Sequence, residues 1–327
     1  MEIKRRLLIT GASGFLGTNL VMALLEAGHE VVNFDLATPQ EPAHGQFHRR
    51  GDILNFEEVR AALEEFQPHW VIHLAGRTDC DENTTVEKGY QSNTVGTQNV
   101  LRAIKETRSV ERVIITSSQY VAGPGRLPQN DADYFPHTIY GQSKVETERL
   151  TRAAGLSCPW TLIRPVNIWG PYHARYTREF WEIVRRGWYL HPGVRSPVRA
   201  YGYVGNVVWQ IQRLLELPEE QISGRTFYVG DRPISIDQWV FGFHRAIRGT
   251  NPWVIPYAAL RGIASLGDGI SKITGKPFYL TSSRLRSMTE DYLVDIEATF
   301  RLLGEPPYSL EQGIGETVEW LRREVWK

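Results

Sequence analysis

The 327-residue chain balances 37 basic against 37 acidic residues, which speaks against nucleic acid or an anionic membrane as its main partner. Its two cysteines, Cys80 and Cys158, make no disulfide framework, and no Cys/His spacing of a metal site occurs, so we expect no metal and a reducing, cytoplasmic setting. The length suits one large α/β domain with an appended lobe, or two domains.

Lys4, Arg5 and Arg6 lead directly into Leu7-Leu8-Ile9, an apolar run that reads as a buried strand rather than a signal peptide. Gly11, Gly14 and Gly17 follow, and an apolar helix pattern begins at Phe15 and stops at Gly28. A tight turn, a bare backbone beside a pyrophosphate and a close helix–strand approach each require a glycine at these positions. The helix N-terminus adds unpaired N–H groups and the positive end of its dipole. A second apolar strand, Glu30–Phe34, ends in Asp35, eighteen residues after Gly17. An acid there accepts both ribose hydroxyls of an adenosine and favours NAD over NADP.

Ala37–His48 reads as a loop, with Gln46–His48 as a short strand leading to Gly51. Asp52, followed by Ile53, fits an adenine edge or an N-cap for the helix Phe56–Phe66, and both readings stay open. Trp70–Gly76 is a fourth strand whose small terminal residues, Ala75 and Gly76, let a cofactor come close; His73 within it reads as a core histidine. The polar segment Arg77–Lys88 borders the site. A helix over Gln91–Lys105 precedes a fifth strand, Arg112–Ser118, which ends in hydroxyls. The loop Gly123–His137 then runs into Tyr140.

Tyr140 and Lys144 share one face of a helix that continues to Ala153. A phenol is a poor base at neutral pH, and a nearby ammonium lowers its pKa toward the useful range. Ser118, at the end of the neighbouring strand, is placed to hold a substrate oxygen near Tyr140. Such a pair removes a hydroxyl proton while a hydride leaves the same carbon, or does the reverse.

Thr10–Gly17, His73–Gly76, Asn93 with Gly96-Thr97, Ser117-Ser118, Tyr140–Lys144 and Arg164–Pro171 together resemble the extended short-chain dehydrogenase/reductases, in their branch of nucleotide-sugar epimerases, dehydratases and reductases. The resemblance implies a doubly wound parallel Rossmann sheet with a smaller carboxyl-terminal substrate-binding lobe. The NAD-binding domain would cover 1–167, completed by about 203–230, and the lobe 168–202 and 231–327. It implies that Gly11, Gly14, Phe15, Leu16 and Gly17 bind the NAD pyrophosphate, Asp35 the adenosine ribose, and Asp52 with Ile53 the adenine. Leu74, Ala75, Gly76 and Asn93 would border the cofactor, and Pro165 and Val166 its nicotinamide end. Tyr140 would be the acid/base, Lys144 would hold the nicotinamide ribose, and Ser118 would orient the substrate. Thr78, Asn167 and Arg199 would bind substrate, the last two at its phosphates. A homodimer pairing the helices that begin near Gln91 and Tyr140 is also implied.

Two departures narrow the chemistry. Dehydratases of this branch carry an Asp-Glu pair directly after the position of Ser118, and 3,5-epimerising members a cysteine at the position of Tyr120; this chain has Gln119 and Tyr120. The lobe also lacks the Arg-x-Gly-Asp pattern of UDP-hexose enzymes and has Leu280–Arg286 instead, similar to the sterol-dehydrogenase branch. The lobe segment Tyr172–His191 is dense in aromatics and arginine, read equally as a ligand surface or a lobe core. Further on, Val204–Leu217 and Ile236–Ile247 read as helices, Thr226–Val229 as a strand returning to the sheet, and Glu311–Val325 as a terminal helix. The most membrane-like run, Val254–Ile270, is interrupted by Pro256, Arg261 and Asp268 and is too short to span a bilayer, so no membrane partner is expected.

The expected function is NAD-dependent epimerisation of a nucleotide sugar, most simply at C4. A keto-sugar reductase, a hydroxysteroid-type dehydrogenase and a non-catalytic dinucleotide sensor are the alternatives. The sugar, the nucleotide, and the roles of His173, His191, Arg284 and Arg286 stay open.

Overall fold

The computed structural model describes residues 4–274 and 280–327. Residues 1–3 and 275–279, at the start of the expected NAD-binding domain and inside the expected lobe, lie outside them. Seven parallel strands form the central sheet: β1 (Arg6–Thr10), β2 (Glu30–Asp35), β3 (His48–Arg50), β4 (Trp70–His73), β5 (Arg112–Thr116), β6 (Trp160–Pro165) and β7 (Arg225–Val229). Their spatial order is β7-β6-β5-β4-β1-β2-β3, with the reversal of a doubly wound sheet between β1 and β4.

The apolar runs explain why both faces are covered. Leu7 and Ile9 of β1 enter one core cluster while Leu8 between them enters the other. The first cluster is closed by α1 (Phe15–Glu26) and the helix Val204–Glu216; the second by α2 (Phe56–Phe66) and α4 (Thr97–Glu106). A short helix, α3 (Val86–Gly89), precedes α4, and α5 (Ile139–Ala153) packs beside it.

Several expectations shift at their edges, and β5 stops at Thr116, two residues before Ser118. β4 stops at His73, because its neighbour β1 ends at Thr10, whose carbonyl takes the last rung from Leu74 N–H at 3.0 Å. The helix read over Gln91–Lys105 opens as a wide π turn, Ser92–Gly96, before α4. Gly96 lets the backbone lie against Ile53, where a Cβ would come within 2.5 Å of that side chain. The short strand near Gln46 begins only at His48, since Pro42–Phe47 winds into a 3₁₀ turn that Glu41 caps. The terminal helix is Leu310–Trp320 followed by a π turn, Leu321–Val325.

Three two-stranded pairs build the lobe: Asn167–Trp169 with Tyr201–Tyr203, Val198–Arg199 with Ile234–Ser235, and Leu190–Gly193 with Trp253–Pro256. The helix Ile236–Arg248 packs Trp239 and Phe243 against Trp169 and Trp181, a core of aromatic edges and faces.

Candidate active site

A cleft of about 1330 Å³ opens beyond the carboxyl ends of the strands, where an open parallel sheet binds its ligands. Its first half is a backbone cradle. Gly11 has φ +72°, and a Cβ on it would lie 2.5 Å from Ala75 N; one on Gly17 would lie 2.4 Å from Ala12 Cα. Gly14 is the N-cap of α1 and offers no side chain to its first N–H groups, which leaves them for an anion. Gly14, Phe15, Leu16 and Gly17 all line this half.

Asp35 stands at the next strand end, its carboxylate accepting from Ser13 N–H and Ala37 N–H, both at 2.9 Å. Acceptor positions remain over for ribose hydroxyls. Asp52 and Ile53 line the same wall. The cap of α2 is Asn55, whose side chain accepts from Glu57 N–H, while Asp52 turns its carboxylate to Leu54 N–H. A glycine cradle, a bare helix start and a tethered acid fit a dinucleotide. Leu74, Ala75, Gly76, Thr78, Pro165 and Val166 continue the lining. Asn93 stands one layer behind it: fully buried, it clamps both backbone groups of Arg77 and donates to Ser143 Oγ at 2.9 Å.

Ser118, Tyr140 and Lys144 all line the cleft, and Ser118 and Tyr140 share a hydrogen bond. Thr138 caps α5 by accepting from Gly141 N–H at 2.9 Å, which sets Tyr140 in the first turn and Lys144 one turn on. Lys144 Nζ donates to Thr116 O at 2.9 Å. The electrostatics depart from the expected tuning. Burial pushes the Tyr140 phenol above its ordinary value, with a hydrogen bond to Ser118 opposing the rise. Burial pulls Lys144 down to about 8, opposed by the Glu148 carboxylate. For the phenol, desolvation outweighs the Ser118 hydrogen bond because the group is enclosed.

Behind Lys144 lies a buried ionic cluster that the sequence reading missed. Glu148 and Arg164 are nearly inaccessible and meet at 2.7 Å. Ser117 Oγ and Tyr134 Oη also donate to Glu148, and Arg164 Nη2 donates to Asp131 O at 2.6 Å. The continued four-residue step from Tyr140 and Lys144 to Glu148 was the available signal. His73 is a core residue: it is held between the Thr10 and Thr97 hydroxyls, and burial draws it down to about 3.

The second half of the cleft is lobe. Arg175, Arg178, Arg199 and Arg284 line it, and Glu179 accepts from both Arg175 and Arg284. Arg199 Nε donates to Glu290 O at 3.0 Å, and Asn167 Oδ1 accepts from Gln119 Nε2 at 3.1 Å. One wall is aromatic: Trp239 stacks on Phe180 at 4.6 Å and on Tyr201 at 4.9 Å. Neither Tyr201 nor Trp239 carries a local sequence signal for a ligand wall. His173 Nδ1 accepts from Tyr176 N–H, and burial draws it down to about 4, which makes it a neutral helix cap. His191 lies off the cleft, paired with Asp237 at 2.9 Å.

The model of the NAD dependent epimerase/dehydratase family matches residues 7–230. An N-acetyl-α-D-glucosaminyl-diphospho-ditrans,octacis-undecaprenol 4-epimerase from Escherichia coli O157:H7 is 26% identical over 96% of this chain and 94% of its own. A 3-β-hydroxysteroid dehydrogenase from Mycolicibacterium neoaurum is 33% identical over 69% of this chain and 65% of its own. Among solved structures, a UDP-glucose 4-epimerase with UDP-glucose from Thermotoga maritima superimposes with a TM-score of 0.75 at 22% identity, over 97% of this chain and 99% of its own. A UDP-glucuronic acid 4-epimerase from Bacillus cereus, in complex with UDP-glucuronic acid and NAD, gives 0.75 at 20% identity over the same shares.

Proposed function

The chain belongs to the NAD-dependent epimerase/dehydratase family, and from that membership we propose that it inverts C4 of a nucleotide sugar through a transient 4-keto-sugar. The hydrogen bond between Tyr140 and Ser118 inside the cleft, with Lys144 lining it one helical turn on, carries this reading. The glycine turn and the first residues of α1 (Gly11, Gly14, Phe15, Leu16, Gly17) would hold the NAD pyrophosphate, Asp35 the ribose, and Asp52 with Ile53 the adenine. NAD, when bound, supplies the hydride acceptor and donor and a positive charge that favours the phenolate.

In this reading Tyr140 removes the C4 hydroxyl proton and later returns it, and Ser118 holds the same oxygen. Lys144 keeps a positive charge at the phenol's side of the cleft, one helical turn away. The four lobe arginines bind the diphosphate, with Asn167 at the phosphate that carries the sugar. A second copy of the chain pairs through α4 and α5.

The test is incubation of the enzyme with UDP-glucose and with UDP-N-acetylglucosamine, read by proton NMR. We expect the C4 epimer at equilibrium without net NADH. Accumulation of a ketone with NADH release would instead mark a dehydrogenase. The apolar wall of Phe180, Tyr201 and Trp239, together with the hydroxysteroid dehydrogenase relative, favours that second reading.

A further inference from the structure

The lobe helix Tyr257–Thr274 has more apolar surface than its packing uses. One side, with Leu260 and Ala264, is fully buried against Leu280, Leu285 and Met288. A second side carries Ile263, Leu266 and Ile273, whose spacing keeps them on one face. That face is open to solvent: Leu266 is 71% and Ile273 87% exposed. The strand that feeds the helix adds Trp253, 76% exposed, and Val254, also exposed. Trp253 pairs in register with Leu190, and exposed Trp188 stands two residues before that strand. This many exposed large apolar side chains on two adjoining elements mark a contact surface.

We propose that this face is a docking surface for an anionic lipid bilayer, with the helix lying flat in the headgroup region. Three observations select lipid over a second copy of the chain. Arg261 and Lys272, both exposed, share the helix's third side, as on a basic amphipathic helix at a membrane. Its one acid, Asp268, is tied to Ser282 N–H and faces Lys272, so Arg261 gives the helix a net positive charge toward phosphate headgroups. The exposed indoles gather at the amino-terminal end of the stripe, and indole rings favour the interface between headgroups and acyl chains.

The placement also concerns the cleft. Leu280 and Met288, on which the helix rests, line it. A bilayer against the outer side of the helix therefore lies one helix thickness from the substrate half. Among the described residues no helix is long and apolar enough to cross a membrane, so the proposed contact is peripheral. It departs from the expectation of no membrane partner, because the balanced charge of the whole chain does not describe this one helix.

The full chain is sedimented with phosphatidylcholine vesicles and with mixed phosphatidylcholine–phosphatidylglycerol vesicles. We expect binding to the mixed vesicles that weakens with salt. Leu266→Glu with Ile273→Glu should weaken partition by at least ~tenfold, while far-ultraviolet dichroism and turnover of a water-soluble substrate stay unchanged. Brominated lipids should quench wild-type fluorescence more than that of Trp253→Phe. A chain that stays in the supernatant, or a double variant that partitions like wild type, overturns the proposal. So does a concentration-dependent doubling of mass that the double variant abolishes without any vesicle binding, which would give the face to a second copy.

Discussion

Lys144 shows what the site costs. Its folded pKa of about 8 lies below the ordinary 10.5, so between those values the unfolded chain holds a proton that the folded chain has lost. Stability on this account rises with pH across that window, and at pH 7 the full penalty of an enclosed ammonium is present. Lys144→Met should therefore raise the unfolding free energy at pH 7 by ~1–2 kcal/mol and flatten the rise above pH 8, while turnover falls by ~10²-fold or more. Urea unfolding at several pH values and initial rates check both halves. Wild-type activity should likewise decline as pH climbs through about 8 and the ammonium is neutralised. The Tyr-x-x-x-Lys spacing was legible in the sequence. The direction of the Tyr140 shift was not, because it follows from the enclosure by Tyr90, Tyr120 and the loop before α5, which spacing does not record.

At the scale of elements, α5 joins chemistry to architecture. Its inward face runs Tyr140, Lys144, Glu148, so the pair we propose for proton transfer and the buried anion share a rigid rod. Glu148 ties that rod to Arg164 of β6 and to Tyr134 of the loop, and Arg164 reaches Asp131. Removing one partner strands a buried charge. Glu148→Gln should cost ~3–5 kcal/mol, whereas Glu148→Leu combined with Arg164→Met should cost less than Arg164→Met alone. Urea midpoints of these three variants decide this, and equal losses throughout would show that the pair acts through packing alone. The helices α1, α2 and α5 were readable within a residue or two from apolar period and caps. The π turn before α4 was not, because it answers to Asn93 and Ile53 rather than to local propensity.

For the whole molecule, the pairing we propose through α4 and α5 uses exposed side chains such as Val95, at the π turn that leads into α4. Sedimentation velocity should give the mass of two chains for wild type and of one for Val95→Arg; an unchanged mass would place the contact elsewhere. That face is formed by other elements than the apolar face of Tyr257–Thr274, so one molecule has room for both contacts. By itself the sequence determined the glycine turn, the strand run, the acid after β2 and the Ser, Tyr and Lys positions. These depend on contacts between near neighbours and on the period of helix or strand. Only the tertiary structure decided that Asn93 sits behind the cleft, that Trp239 and Tyr201 wall it, that Glu148 meets Arg164, and that a helix with two apolar sides buries only one. Each of those outcomes depends on which distant segments exclude water from a side chain, a property of the packed chain rather than of any stretch within it.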